Sequence, residues 1–199
     1  MSEPKTLLQM AGANPSPAKL SDAVVVIIDA QNEYVSGKLP LDGVEAALDN
    51  VAKLLKAARA AGAPIIHIQQ RGRAGGLFDP EGAGFKIAPQ AAPGAGEKIL
   101  EKSLPNAFAK TTLQLDIQAT GKNSLILAGF MTHMCVSATA RSALDHGYQT
   151  TIAADAVATR ALPDALGGAA LPAAQIHRTA LAELADRFAT IARVSDLKA

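Results

Sequence analysis

The sequence predicts an α/β protein built on an open, doubly wound, mostly parallel six-stranded sheet with helices on both faces, a Rossmann-like form. Three observations carry that prediction. The run Ala23-Val24-Val25-Val26-Ile27-Ile28 is continuously apolar and largely β-branched, the pattern of a strand covered on both faces rather than one. Segments with apolar residues at helical spacing separate such runs, and strands alternating with helices imply parallel crossovers. The chain has 199 residues, enough for one domain with a sizeable core and short for two.

Residues 1–20 are read as an N-terminal arm and 21–199 as a single domain. The arm is polar, contains Pro4, Pro15 and Pro17 and lacks the apolar core of a signal peptide, which predicts a cytoplasmic protein. It is expected to be extended or partly helical around Thr6 to Met10, packed on the domain or on a neighbouring subunit. The first strand ends at Asp29. Gly43 to Ala61 carries Val44, Ala47, Leu48, Val51, Leu54, Leu55 and Ala58 on one helical face, and Gly62 stops it. A second strand runs from Pro64 to Gln70. Residues 71–96 are rich in Gly, Pro and Ala with little periodicity, and are expected to line or cover a pocket. A short strand from about Glu97 to Glu101 delivers Lys102 to a loop, and Ala107 to Ala119 reads as one helix. Asn123 to Gly129 is a buried strand, Met134 to His146 a helix, Gln149 to Ala154 a strand, Pro172 to Ala185 a helix and Ala189 to Val194 the last strand.

Charge and composition narrow the function. There are 19 Lys and Arg against 18 Asp and Glu, a net charge of +1, so no footprint for nucleic acid or an anionic membrane is visible. No uncharged apolar run approaches the roughly 20 residues that span a bilayer. The only cysteine, Cys135, rules out an internal disulfide and any multi-cysteine metal or iron–sulfur site. In doubly wound sheets the ligand crevice lies beyond the carboxyl ends of the strands, where the strand order reverses. Asp29, the Gln70 to Arg73 stretch, Lys102 and the Phe130 to Cys135 turn all fall there.

Each candidate has a functional and a plain reading. Cys135 follows a buried strand and opens a predicted helix whose free N–H groups would lower its pKa, so it reads as a nucleophile rather than a buried structural thiol. Asp29, a carboxylate closing an apolar strand, is either a turn cap or a catalytic base. Lys102, taken alone, reads as a solvated surface lysine. His133, two residues from the thiol, is expected on the surface or a pocket wall rather than as the base.

Taken together these residues resemble a known family. The set Asp29-Ala30-Gln31-Asn32, Lys102-Ser103-Leu104-Pro105-Asn106-Ala107-Phe108 and Gly129-Phe130-Met131-Thr132-His133-Met134-Cys135-Val136-Ser137 resembles the isochorismatase-like cysteine hydrolases from about Asp22 to Val194. The resemblance implies a catalytic triad of Asp29, Lys102 and Cys135 and an oxyanion hole from the backbone N–H groups of Thr132 and Cys135. It also implies a cis peptide at the nucleophile turn, matching Met131-Thr132. Members that cleave a vinyl ether replace the cysteine, so Cys135 points to hydrolysis of an amide, ureido or cyclic amide C–N bond through an acyl-cysteine thioester. An isochorismatase-type vinyl ether hydrolase is the alternative. The family further implies a homodimer or larger homo-oligomer acting on a small molecule.

Metal-holding members such as nicotinamidases carry Asp-x-His after the second strand, whereas this chain reads Gln69-Gln70-Arg71, so no metal and no other cofactor is expected. Gln31, Tyr34, Gln69, Arg71, Phe85 and Met131 are candidate substrate contacts from their places after strands or in the long loop, and Arg71 or Arg73 is placed to meet a substrate carboxylate. Two other classes remain. A nucleotide or flavin binder is disfavoured because the turn Ala30-Gln31-Asn32-Glu33-Tyr34 has no glycine cradle. A thiol-based sensor would use Cys135 reversibly.

Overall fold

The computed structural model describes residues 3–199. Among them, β1 (Ala23–Ile28), β2 (Ile65–Gln70), β3 (Lys98–Lys102), β4 (Ser124–Phe130), β5 (Gln149–Ala158) and β6 (Thr190–Ala192) form one all-parallel sheet. Its order is β3-β2-β1-β4-β5-β6. The chain builds outward from β1 to β3 and then returns to the other flank of β1 with β4. The order therefore reverses between β1 and β4, which opens the crevice beyond their carboxyl ends.

Burial on both faces explains the unbroken apolar run of β1, where every residue is buried. Val25 and Ile27 pack into a core with Leu48, Val51, Leu54 and Leu55 of α2 (Val44–Ala60). Val24, Val26 and Ile28 enter the opposite core. There they join Leu113 and Ile117 of α3 (Leu113–Ala119), Ala140 and Ala143 of α4 (Ser137–Asp145) and Leu184 of α5 (Ala173–Arg187). The arm's short α1 (Leu7–Met10) lies against α5 of its own chain, with Leu7 N–H donating to Asp186 Oδ1 at 2.7 Å.

Three elements depart from the sequence expectations. The helix expected over 107–119 begins only at Leu113, because Lys110 has a positive φ of 59° and the chain before it is bonded into turns. Thr111 Oγ1 donates to the Ala107 carbonyl, and Ala107 N–H donates to Thr139 Oγ1. Strand β5 runs four residues beyond Ala154, since Asp155 is accommodated by bonds from Val194 N–H and the Asn50 side chain. A register shift between Leu127 and Gly129 lets Gly129 and Phe130 pair with Val157 and Ala158. Residues 132–136 form a π-helical turn, so α4 starts at Ser137 rather than Met134.

Gly129 sets the closeness of β1 and β4 at this reversal. Its φ is 104°, and a Cβ there would stand 2.0 Å from the Ile28 carbonyl oxygen. Any larger residue would force apart the two strands that present Asp29 and the nucleophile turn.

At the sheet's far edge, Glu97 fixes the start of β3. It accepts from Arg59 Nε at 2.8 Å, Arg59 Nη2 at 3.0 Å and Gly94 N–H at 2.7 Å. His67, buried and held neutral by that burial, lies with Nε2 2.9 Å from Glu97 and donates to it. The Arg59 bond is the main reason the Glu97 carboxyl is lowered to about 2, against burial, which raises it. A depressed carboxyl pKa stabilises the fold above its ordinary value of 4.5, and that stabilisation fades as pH falls towards about 2. Arg59 is 41% exposed, so solvent screening brings the contribution to about 1–2 kcal/mol. Glu97→Gln is expected to lower stability by about that amount at pH 7 and to differ little from the native chain near pH 2. Urea denaturation across that range checks this, and equal stability at pH 7 would contradict it.

Candidate active site

Asp29, Lys102 and Cys135 are far apart in sequence and meet at the strand-order reversal. Asp29 follows β1 with φ 50°. Its N–H donates to the Ile68 carbonyl and its own carbonyl accepts from Gln31 N–H, which turns the chain sharply while keeping the carboxylate at the sheet edge. Lys102 ends β3, which is two strands and roughly 10 Å from β1. Its side chain crosses that gap over its register partner Gln70. The ammonium has three N–H donors, and all three are placed: Asp29 Oδ2 at 2.7 Å, Gln70 Oε1 at 2.6 Å and Cys135 Sγ at 3.3 Å.

Both members of the Lys102–Asp29 pair have fully buried side chains. Burial raises the Asp29 pKa above the ordinary carboxylate range, and the Lys102 charge and hydrogen bond pull it back. Asp29 Oδ1 is buried without an aligned donor among the described residues, although the Cys135 thiol is close enough to help hold the carboxylate's charge. That combination makes Asp29 a stronger base than a solvated aspartate and still keeps it paired.

Cys135 is 5% exposed, and its thiol is pushed up to about 12, first by burial and then by the Asp29 charge, with Lys102 opposing. The expected lowering by helix N–H groups is therefore overturned. The thiol sits inside the π turn rather than ahead of a helix, and Met134 and Val136 N–H groups both donate to the Met131 carbonyl at 3.0 and 3.2 Å. The cis peptide lies at Phe130-Met131, one residue before the expected Met131-Thr132, where the chain leaves β4 and its pairing with Ala158.

The expected substrate contacts divide into walls and props. Gln31, fully buried, donates to the Gln70 and Phe85 carbonyls and accepts from Gln70 N–H, so its amide pins the 71–96 segment rather than facing a ligand. Gln69 likewise donates to the Phe85 carbonyl. The later part of that segment is held against the end of β1, with Ala88 N–H bonded to the Ala30 carbonyl and Ala88 and Ala91 fully buried. Tyr34 packs edge-on against Phe78 and Phe130, and its phenol is pushed up by burial and by the nearby Asp29 and Cys135. Met131 is buried in the α2-side core. Arg71 is not free to meet a carboxylate: it pairs with Glu101 on the surface and lies over the Phe85 ring.

Where metal-holding members carry Asp-x-His, the Gln69 and Gln70 amides are engaged with the Phe85 carbonyl and Lys102, and this neutral, committed pair does not fit a metal ion. Sequence reasoning missed the residues that β5 and α5 bring to the same edge. His177 Nδ1 lies 3.0 Å from Thr132 Oγ1, and His133 Nδ1 contacts Thr159 Oγ1. Arg160 follows Thr159. Reading β5 through to Ala158 would have placed Thr159 and Arg160 just after a strand, in the position that singled out Asp29.

The charge pattern makes the thiol slow to ionise in the resting protein. Alkylation of Cys135 by iodoacetamide, followed by intact mass, is expected to rise with pH without a plateau below about pH 10. Asp29→Asn removes the neighbouring negative charge and should move that rise to lower pH. A native thiol titrating below pH 8 would contradict the assignment.

An isochorismatase domain model matches residues 23–196. An isochorismatase crystal structure from Pseudomonas putida KT2440 superposes with a TM-score of 0.94 at 46% identity, covering 98% of this chain and 100% of that one. Among curated relatives, the secreted isochorismatase effector Isc1 of Verticillium dahliae is 40% identical over 94% of this chain and 96% of its own. Streptothricin hydrolase of Streptomyces noursei is 33% identical over 86% of this chain and 62% of its own. Maleamate amidohydrolase of Pseudomonas putida is 30% identical over 68% of this chain and 72% of its own. With the whole sheet matched and these relatives aligned across it, the chain belongs to the isochorismatase family of hydrolases.

Proposed function

We propose that the protein hydrolyses a non-peptide C–N bond of a small amide, ureido compound or cyclic amide through an acyl-cysteine thioester. The observation that carries this reading is the buried Lys102 ammonium bonded at once to Asp29 and Cys135. The presence of relatives named amidohydrolase and streptothricin hydrolase supports it, as does a thiol where vinyl ether chemistry has no use for one.

The steps follow from where charge is stable. Asp29 takes the thiol proton as Sγ bonds to the carbonyl carbon, so a free buried thiolate beside a carboxylate never accumulates. Negative charge leaves Asp29 as it develops on sulfur and then on the carbonyl oxygen, and Lys102 remains within reach of the first two throughout. The oxyanion is assigned to the backbone N–H groups of Thr132 and Cys135, as the family resemblance implies; the Met134 and Val136 N–H groups of the same turn are committed to the Met131 carbonyl. Each such donor is worth about 3 kcal/mol in related acyl transfers. Asp29 then protonates the departing nitrogen as the C–N bond breaks. A water gives its proton to Asp29 and its oxygen to the thioester carbon, the C–S bond breaks, and the thiol recovers the proton.

Ammonia or acid release from a panel of primary amides, ureido compounds and cyclic amides tests the proposal, together with intact mass for an acyl adduct. Cys135→Ala is expected to lower kcat/KM at least about a thousandfold and to abolish the adduct. Turnover retained in that variant would overturn the covalent route.

A further inference from the structure

The N-terminal arm roofs a cavity at the edge of the sheet opposite Asp29, Lys102 and Cys135. It lies at the amino ends of β5 and β6, beside the last turns of α4 and α5, and has a volume of about 480 Å³. Small-molecule sites fall between roughly 300 and 1,000 Å³. Two bonds hold the arm in place there: Leu7 N–H donates to Asp186 Oδ1 at 2.7 Å, and Ala18 N–H donates to Thr151 Oγ1 at 2.9 Å. Leu8 of the arm, Leu144 near the end of α4 and Phe188 just after α5 supply apolar wall.

The polar groups of that wall are unmatched. Thr150 shares the face of β5 with Ile152 two residues on, the face that packs beneath α4 and α5. It is 6% exposed, and its Oγ1 is buried with no hydrogen-bond partner. The hydroxyl of the buried Tyr148 has no partner among the described residues either. Arg187 ends α5 and borders the same cavity. Arg59, Arg71 and Arg141 each pair with a glutamate, whereas among the described residues no carboxylate comes within ion-pair distance of Arg187. Its neighbour Asp186 is taken by the arm. No Asp or Glu lines the cavity among the described residues.

Hydroxyl donors and an uncompensated cation against apolar walls suit one ligand chemistry. A carboxylate would satisfy the guanidinium and the orphan hydroxyl together, in charge-assisted bonds stronger than neutral ones, while an aromatic body would lie against Leu8, Leu144 and Phe188. We infer that this cavity is a second binding site, separate from the catalytic cluster, for a small aromatic carboxylate whose acid group meets Arg187 and Thr150. The inference does not rest on the hydrolase reading, since the full length of β5 separates the cavity from the carboxyl edge of the sheet.

The chain has two tyrosines, and they report on the two edges: Tyr148 lines the cavity, and Tyr34 packs on Phe130 at the end of β4. Protein labelled with ¹³C in its tyrosine rings is titrated with 3-phenylpropionate and, separately, with 3-phenylpropan-1-ol, which lacks the charge, and followed by NMR. Tyr148→Phe assigns the two signals. Phenylpropionate is expected to shift Tyr148 and leave Tyr34 in place, at a concentration about 10- to 100-fold below that of the alcohol. Arg187→Gln should bring that ratio close to one, Arg187→Lys should restore part of it, and the isosteric Thr150→Val should weaken the acid more than the alcohol. An unchanged Tyr34 signal in each variant shows that the fold is kept. A Tyr148 signal unmoved up to the solubility limit of phenylpropionate, a shift at Tyr34 instead, equal binding of acid and alcohol, or a preference that survives Arg187→Gln would overturn the inference.

Discussion

A single ammonium group, on Lys102, faces two acidic partners that cannot both be charged in a buried site. With Asp29 Oδ2 at 2.7 Å and Cys135 Sγ at 3.3 Å, it holds one negative charge on the carboxylate in the resting protein and can hold that charge on sulfur after the proton moves. An isolated buried carboxylate or thiolate would be prohibitively unfavourable. The pairing keeps the net charge of the cluster constant as the proton transfers, and the proposed chemistry depends on that constancy. The remaining donor of Lys102, on Gln70, holds the ammonium in place.

Much of the fold serves to deliver that ammonium across two strands. β3 must stand in register with β2, and the cluster of Glu97, Arg59 and His67 anchors its beginning. Gly129 lets β4 approach β1 closely enough for the thiol to reach the same point. Gln31 and Gln69 look like ligand contacts by position, yet both donate to the Phe85 carbonyl and so tie the 71–96 segment to the strand ends. The buried polar side chains at the carboxyl edge are thus divided between the groups proposed to react and the props that hold them.

The strands and the order of helices were legible because a doubly covered strand leaves a continuous apolar run, and the polar residue that ends it stands out. Asp29 is plain for that reason. Lys102 is not: only the topology shows that a lysine on an outer strand reaches the centre. The character of Cys135 was misread because sequence locates a thiol near a helix start but gives no measure of burial, and here burial outweighs the local N–H groups. β5 was cut short at Ala154 because Asp155 breaks its pattern, although tertiary partners satisfy that carboxylate and its backbone carbonyl. That one boundary hid Arg160. The false helical start at Ala107 has a similar origin, since side-chain bonds from Thr111 and Thr139 favour turns that periodicity does not register.

The central claim is that the resting negative charge lies on Asp29, with Cys135 protonated and Lys102 between them. Infrared difference spectroscopy at neutral pH between the native protein and Cys135→Ala tests it most directly, because the chain has one cysteine and any S–H stretch belongs to it. The account predicts an S–H band in the native protein, with an ionised carboxylate whose bands shift in Asp29→Asn. A native spectrum without the S–H band, accompanied by a protonated carboxyl band that Asp29→Asn removes, would place the charge on sulfur and contradict it.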